Sequence, residues 1–273
     1  MNAFTGEQMS IVTNKAQTTR HRILGIVNGP GYQAVFSDTP GILKPIYKLQ
    51  ESMMSFVKSA ISDADILLYV TDVVESAEKH STYIERMAAT TTPVLVLINK
   101  IDLTDPASLE RMVSEWRERL PLAEIYPVSA KGHFQVKEVL QRVIDLLPEG
   151  PAYFPEDELT DKPERFFVSE IVREKIFLNY REEVPYCTEV VVETFKEEEN
   201  LIRIQALILV ERDSQKGIII GKKGSALKRT ATQARIDMEK FFNKKVYLEI
   251  FVKVEPDWRN NERNLRQLGY IES

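Results

Sequence analysis

Apolar residues recur along this chain in two rhythms, and the rhythm changes partway. Ile66 to Val70 and Val94 to Ile98 are short, nearly continuous apolar runs. Such runs suit strands of a parallel sheet covered on both faces. Arg22 to Val27 and Gln33 to Phe36 are short β-rich runs around a Gly29-Pro30-Gly31 turn. Between the strands the period lengthens. Leu109, Val113, Trp116 and Leu120 form a stripe at helical spacing, as do Val136, Val139, Leu140, Val143 and Leu147, and Ala77 to Ala89 is helix-like. Alternating strands and helices predict a doubly wound α/β domain over residues 1–148.

Five Pro and Gly residues, Pro148, Gly150, Pro151, Pro155 and Pro163, then fall close together among acidic Glu156, Asp157 and Glu158. This composition predicts a linker over 149–162. Beyond it the pattern predicts a helix over 163–178, strands over 188–195 and 201–210, a short helix, a glycine pair, a helix over 225–242 and a strand over 246–252. A last short helix falls within 258–269. The order helix, strand, strand, helix, helix, strand marks a separate α+β domain over 163–273.

Composition narrows the class. The chain has 273 residues, 43% hydrophobic and 28% charged, which is ordinary for a globular protein. No apolar run approaches the roughly 20 residues of a transmembrane helix. The start, Met1 to Ser10, lacks the pattern of a signal peptide. Cys187 is the only cysteine, so an internal disulfide and a cysteine metal site are excluded, and a cytosolic protein fits. The histidines, His21, His80 and His133, are scattered and show no metal spacing. The net charge is −5, yet Arg212 to Lys245 holds ten Lys/Arg against three Asp/Glu.

Candidate chemistry lies at the ends of the predicted strands. Asp38-Thr39-Pro40-Gly41 follows Phe36. An aspartate there can hold Mg²⁺ through water, and the glycine lets a phosphate approach the backbone, although the same residues also make an ordinary turn. Asn99-Lys100-Ile101-Asp102 follows the run ending at Ile98. The Asp102 carboxylate can accept from both N1–H and the amino group of guanine, Asn99 can bond the base edge, and the Lys100 stem can cover the ring. A helix N-cap turn is the plainer reading. Ser129-Ala130-Lys131 follows a predicted strand over 125–128, and its backbone N–H groups can meet the guanine carbonyl. Alone each is weak. In order, each at the C-terminal end of a strand, they fall where open α/β sheets bind ligands.

In the second domain, Lys216 and Gly217-Ile218-Ile219-Ile220-Gly221-Lys222-Lys223-Gly224 lead into a helix carrying Lys228 and Arg229. A G-x-x-G loop admits a nucleic-acid backbone closely, and lysines add phosphate attraction. Ile218 to Ile220 belong either to an apolar floor under unstacked bases or to the core.

Together these residues resemble the Era family of GTPases. Asp38 to Gly41, Asn99 to Asp102 and Ser129 to Lys131 are similar to the G3, G4 and G5 elements of translation-factor-class GTPases. Lys15-Ala16-Gln17-Thr18-Thr19-Arg20-His21-Arg22 resembles the family's switch I. The second half resembles a type II KH domain, and Pro256-Asp257-Trp258 and Leu265 to Tyr270 resemble the family's C-terminal end. The resemblance implies GTP and Mg²⁺ as ligands, with Thr18 or Thr19 sensing phosphate and Thr19 and Asp38 as the metal-side residues. It implies Lys216, Gly217, Ile220, Gly221, Lys222, Lys223, Gly224, Lys228 and Arg229 as the RNA-binding set. The implied partners are small-subunit ribosomal RNA near its 3′ end and the small ribosomal subunit. The implied setting is a cytoplasmic monomer, with room for peripheral association at the inner face of the cell membrane. Ile42 follows the glycine motif where a Ras-type GTPase has its water-orienting glutamine, so slow intrinsic hydrolysis is implied.

No G-x-x-x-x-G-K-[ST] phosphate loop occurs in the sequence. In the Era family that loop lies immediately before a segment resembling Met1-Asn2-Ala3-Phe4. The resemblance therefore places a first strand and phosphate loop, roughly two dozen residues, ahead of Met1. On this reading two inner sheet edges stand open, the chain is aggregation-prone and its GTP affinity is low. The competing reading is a nucleotide-independent KH-type RNA-binding fragment.

Overall fold

This computed structural model describes residues 1–13, 15, 17–74 and 81–271, and among them nine α-helices and eight β-strands follow one another along the chain. They pack into two units, each discontinuous in sequence. The first takes Met1–Gln8, Leu24–Ser37 and Lys58–Thr160; the second takes Met9–Ile23, Asp38–Val57 and Asp161–Ser273. This division cuts across the sequence-based boundary at 148. Two segments of the first half pack with the second because their polar groups find their partners there.

In the first unit, α1 (Asn2–Thr5) precedes a hairpin of β1 (Ile23–Gly29) and β2 (Tyr32–Asp38). A three-stranded sheet follows, of β3 (Leu67–Asp72), β4 (Val94–Asn99) and β5 (Glu124–Pro127), all parallel and in the order β3-β4-β5. Val94 to Ile98 are all buried, as a central strand covered on both faces requires. On one face Val96 and Ile98 pack with Ile84 and Met87 of α3 (Ser81–Ala88) and Trp116 of α4 (Pro106–Arg119). On the other, Leu95 and Leu97 pack with Val139 of α5 (Val136–Leu146) and with Phe4. The residues 77–80 of the expected Ala77–Ala89 helix lie outside the described ones. Among the described residues β2 and β3 are not hydrogen-bonded neighbours, and Val70 of β3 is exposed. Phe4 stacks on Phe36 of β2 with ring centroids 4.8 Å apart, and both belong to a cluster that includes Ile66, just before β3, and Leu68 within it.

In the second unit, α6 (Glu164–Asn179), α7 (Asp213–Ile220) and α8 (Ser225–Phe241) cover one face of a sheet of β6 (Glu189–Glu197), β7 (Leu201–Val210) and β8 (Lys245–Val254). The order is β6-β7-β8, with β6 antiparallel and β8 parallel to β7. Ile202, Ile204, Ala206, Ile208 and Val210 alternate into the core, the period of a half-buried strand. This is the expected type II KH element order. The short α9 (Glu262–Gln267) follows, capped by the Asn261 side chain. Sequence periodicity missed α2 (Lys48–Asp63), whose first ten residues belong to this unit. Its Leu49 N–H donates to Arg259 O at 2.9 Å, and Lys48 pairs with Glu262. No described helix is long and apolar enough to cross a membrane.

A buried polar cluster explains why Met9–Ile23 joins this unit. Arg20 is 3% exposed. Its guanidinium donates to Thr188 O (2.7 Å), Pro185 O (3.2 Å), Tyr186 O (3.3 Å) and Glu189 Oε2 (3.0 Å). The Tyr270 hydroxyl also donates to Glu189. Arg173 donates to Glu170 and, at 2.8 Å, to Thr18 O. Burial pushes the Glu189 carboxyl up, but Arg20, Arg173 and the Tyr270 hydroxyl outweigh it and hold the group low. Beside them Trp258, fully buried, donates from Nε1 to Cys187 O at 3.0 Å, and burial raises the Cys187 thiol. His21 stacks on Tyr270 with centroids 4.2 Å apart.

Two predictions follow from this cluster. Arg20→Met leaves Glu189 without its closest cation and should destabilise the second unit by about 3–5 kcal/mol. Urea unfolding read by Trp258 fluorescence in a Trp116→Phe background measures this; a loss under about 1 kcal/mol contradicts the role given to Arg20. The second concerns pH. Burial, chiefly, lowers His21 from 6.5 to about 4. Between those values the unfolded chain takes up a proton that the folded chain refuses, so stability falls as pH falls through this window. His21→Gln should flatten that part of the pH–stability curve, and an unchanged slope would count against a neutral buried His21.

Candidate nucleotide and RNA sites

The parallel register sets the ends of β4 and β5 side by side, with Ile98 opposite Pro127. The segments leaving those ends therefore meet. Asn99 Oδ1 accepts from the Ala130 N–H at 3.0 Å. Ser129, 4% exposed, donates from Oγ to Asp102 Oδ1 at 2.6 Å and accepts from the Gly132 N–H at 3.1 Å. The Ser129 bond chiefly lowers the Asp102 carboxyl below the usual carboxylate range, so the group stands ionised and exposed. Lys100 adopts a left-handed conformation, φ 61°, which turns the chain between Asn99 and Asp102. Its ammonium lies 2.6 Å from Asp72 Oδ2 at the end of β3, which fixes the direction of the aliphatic stem. Neither Asp72 nor that ion pair was evident in the sequence. Ala130 and Lys131 are exposed.

The result is a corner with a fixed carboxylate acceptor, an amide edge and a lysine stem. The helix-cap reading of this turn fails, since Asp105 caps α4 by accepting from the Ser108 N–H at 3.0 Å. An exposed acceptor-only carboxylate suits a base offering two adjacent N–H donors, as guanine does.

The remaining nucleotide candidates lie in the second unit. Asp38 ends β2 and accepts from Ser10 Oγ. Pro40 is buried. Gly41 is exposed, with open space where a side chain would stand and no left-handed φ. Thr18 and Thr19 are half-buried, and the Thr18 carbonyl is held by Arg173. Gln50 links the two stretches: its Nε2 donates to Gln17 Oε1 at 3.2 Å and its Oε1 accepts from the Ile46 N–H at 2.8 Å. Ala16 lies outside the described residues. Among the described residues no group of three or more His, Cys, Asp and Glu could hold a metal. Asp38, an oxygen donor, is of the chemical kind that Mg²⁺ takes, since Mg²⁺ is held by one or two carboxylates and keeps waters and phosphate oxygens as its other ligands.

The RNA candidates form the turn between α7 and α8. Gly221 has φ 69° and ψ 179°, a region essentially reserved for glycine, and a Cβ there would sit 2.6 Å from Ala226 Cβ. Gly224 is left-handed at φ 75°, and so is Lys223 at φ 51°. The turn ends at the N-terminus of the 17-residue α8, whose free N–H groups favour an anion. Lys222, Lys223 and Lys228 are exposed, and among the described residues none of them forms an ion pair. Arg229 is exposed and reaches Asn179 O at 3.5 Å, while Lys216 is half-buried. The isoleucine run divides: Ile219 is fully buried in the core, Ile218 is half exposed and Ile220 lies between them. Gly217, inside α7, has open space around it and needs no special φ.

Comparison with known proteins matches both halves. A family of KH domains matches residues 183–259, and a family described as 50S ribosome-binding GTPase matches residues 1–100. The GTPase Era of Geobacter metallireducens is 46% identical over 273 residues, covering 99% of this chain and 92% of that protein. Two solved Era structures are 38% identical with TM-scores of 0.93, each covering 98% of this chain. One, from Aquifex aeolicus, is bound to GDP and AlF4 and is covered over 93% of its length. The other, covered over 92%, is in complex with MgGDPNP and nucleotides 1506–1542 of 16S ribosomal RNA. With this identity over nearly its whole length, a corner fit for guanine and a glycine-lysine turn on a KH fold, the chain belongs to the Era family of GTPases.

Proposed function

We propose that this chain binds guanine nucleotide with Mg²⁺, binds small-subunit ribosomal RNA near its 3′ end and acts in maturation of the small ribosomal subunit. The observation that carries the reading is the Ser129–Asp102 bond, which presents an ionised carboxylate at a corner shaped for guanine. The exposed lysines of the Gly221–Gly224 turn support the RNA half. In the first unit Asp102 and Asn99 are the base-reading candidates and Lys100 the one that covers the ring; in the second, Asp38 and Thr18 or Thr19 are the metal-side candidates and Gly41 the phosphate-side one. Mg²⁺ supplies charge neutralisation at the phosphates when bound. The Ile42 side chain offers no hydrogen bond to water, so intrinsic hydrolysis is slow.

The working setting is a cytoplasmic monomer, with the small subunit as partner and peripheral membrane association as a further property to test. A second reading, RNA binding without nucleotide, rests on the absence of a G-x-x-x-x-G-K-[ST] run from the sequence given. Calorimetric GTP titration of this chain separates the two. Absence of GTP binding supports the second reading.

Asp102→Asn should lower the preference for GTP over XTP by about 10- to 100-fold, since charged hydrogen bonds are lost to guanine and xanthine offers an oxygen instead. An undiminished GTP preference would refute the base assignment. For RNA, Lys222→Asp with Lys223→Asp should weaken binding of a single strand matching the 3′ end of small-subunit ribosomal RNA. The slope of log affinity against log salt should become shallower by about 1.4, for two phosphates released. Full affinity in the double variant would remove the turn from the RNA site.

A further inference from the structure

The Gly221–Gly224 turn is held in place from a distance. Where α7 ends, the Ile219 carbonyl lies among the last four, which find no partner within the helix. It accepts from the Tyr180 hydroxyl at 2.8 Å. That hydroxyl also accepts from Thr230 Oγ1, on α8, at 3.2 Å. One phenol, 5% exposed, thus ties both helices that flank the turn. Its neighbour Asn179 adds to the grip on α8, donating to Gln233 Oε1 at 2.7 Å and Thr230 Oγ1 at 3.2 Å.

The Asn179–Tyr180 pair ends α6, and its backbone is itself anchored. The Lys15 ammonium donates to Phe177 O at 2.6 Å and to Tyr180 O. A cation at the carbonyl end of a helix is favoured by the helix dipole as well as by the hydrogen bonds. Lys15 belongs to the segment that runs on through Thr18, Thr19 and Arg20, which is fastened to α6 by Arg173 and to the start of β6 by Arg20. A continuous line of hydrogen bonds therefore leads from Lys15, through the end of α6 and the Tyr180 hydroxyl, to the carbonyl two residues before Gly221.

We propose that Lys15 and Tyr180 are positioning residues for the RNA turn: Lys15 fixes the end of α6, and Tyr180 fixes the two helices between which Gly221 to Gly224 is strung. Loss of the Lys15 hydrogen bonds loosens the turn and lowers RNA affinity. This rests on the RNA-binding reading above, and the experiment separates the two.

Amide hydrogen exchange is measured on the full chain without RNA for the parent, Lys15→Met, Lys15→Arg, Tyr180→Phe and the Lys15→Met, Tyr180→Phe double variant. RNA titrations at several salt concentrations run alongside. Lys15→Met and Tyr180→Phe should each speed exchange at residues 217–226 and weaken RNA binding by about 3- to 10-fold, the scale of one lost hydrogen bond. The salt slope should stay unchanged, because neither group meets phosphate. The double variant should be little worse than either single one, and Lys15→Arg should behave as the parent. Unaltered exchange at 217–226 in Lys15→Met overturns the proposal. So does a slope shallower by about 0.7, which makes Lys15 a direct phosphate contact. Should the parent bind no RNA, the RNA reading fails, and the exchange data still decide whether Lys15 positions the turn.

Discussion

Arg20 is the constraint on which the second unit depends. A guanidinium so deeply buried is tolerable only where its donors are satisfied, and here three carbonyls and a carboxylate do so. Those carbonyls belong to the stretch entering β6, so the ion organises backbone as well as balancing Glu189. Removing it would strand a carboxylate rather than merely delete a contact. Thr18 and Thr19 inherit their position from this anchor, one or two residues away along an otherwise irregular stretch.

The two candidate sites are built on different physics. The guanine corner depends on a parallel register: pairing β4 with β5 aligns two loops that are remote in sequence, and a serine then orients an aspartate. Its precision comes from β4, which is buried on both faces. The RNA turn depends on backbone conformation. Gly221 stands where only glycine fits, and Lys223 is held in the left-handed region to point outward between two helices. One site positions side chains through a sheet; the other positions main chain through a turn, with its cations free in solvent.

Much of this was legible in the sequence, and the misses share a cause. Continuous apolar runs identified β3 and β4, and β4, the central strand, is buried on both faces. Alternation identified β7, and the glycine pair located the turn. The helix Lys48–Asp63 was overlooked although Leu49, Met53, Met54, Val57 and Ala60 are its buried positions. Gln50 and Ser52 are buried among them, and that diluted the apolar signal. The fate of Ile218 to Ile220 could not be read either, since three equal residues give no phase. Lys15, Arg20 and Tyr180 were invisible as anchors. Their importance lies in carbonyls more than 150 positions away for the two cations, and no local pattern announces such a partner. The division into packing units also escaped, because periodicity reports which face of an element is buried but not against what.

The burial of Cys187 has a practical consequence. It is the sole thiol of the chain, shielded from solvent, with its ionisation suppressed, and packed where its carbonyl holds the Trp258 indole. Maleimide and iodoacetamide reagents attack thiolates, so the native residue is a poor target. A cysteine placed at an exposed position such as Ser225 or Thr232 could therefore be alkylated selectively with no background substitution. Fluorophores or spin labels could then be attached beside the glycine turn while the wild-type core stays untouched.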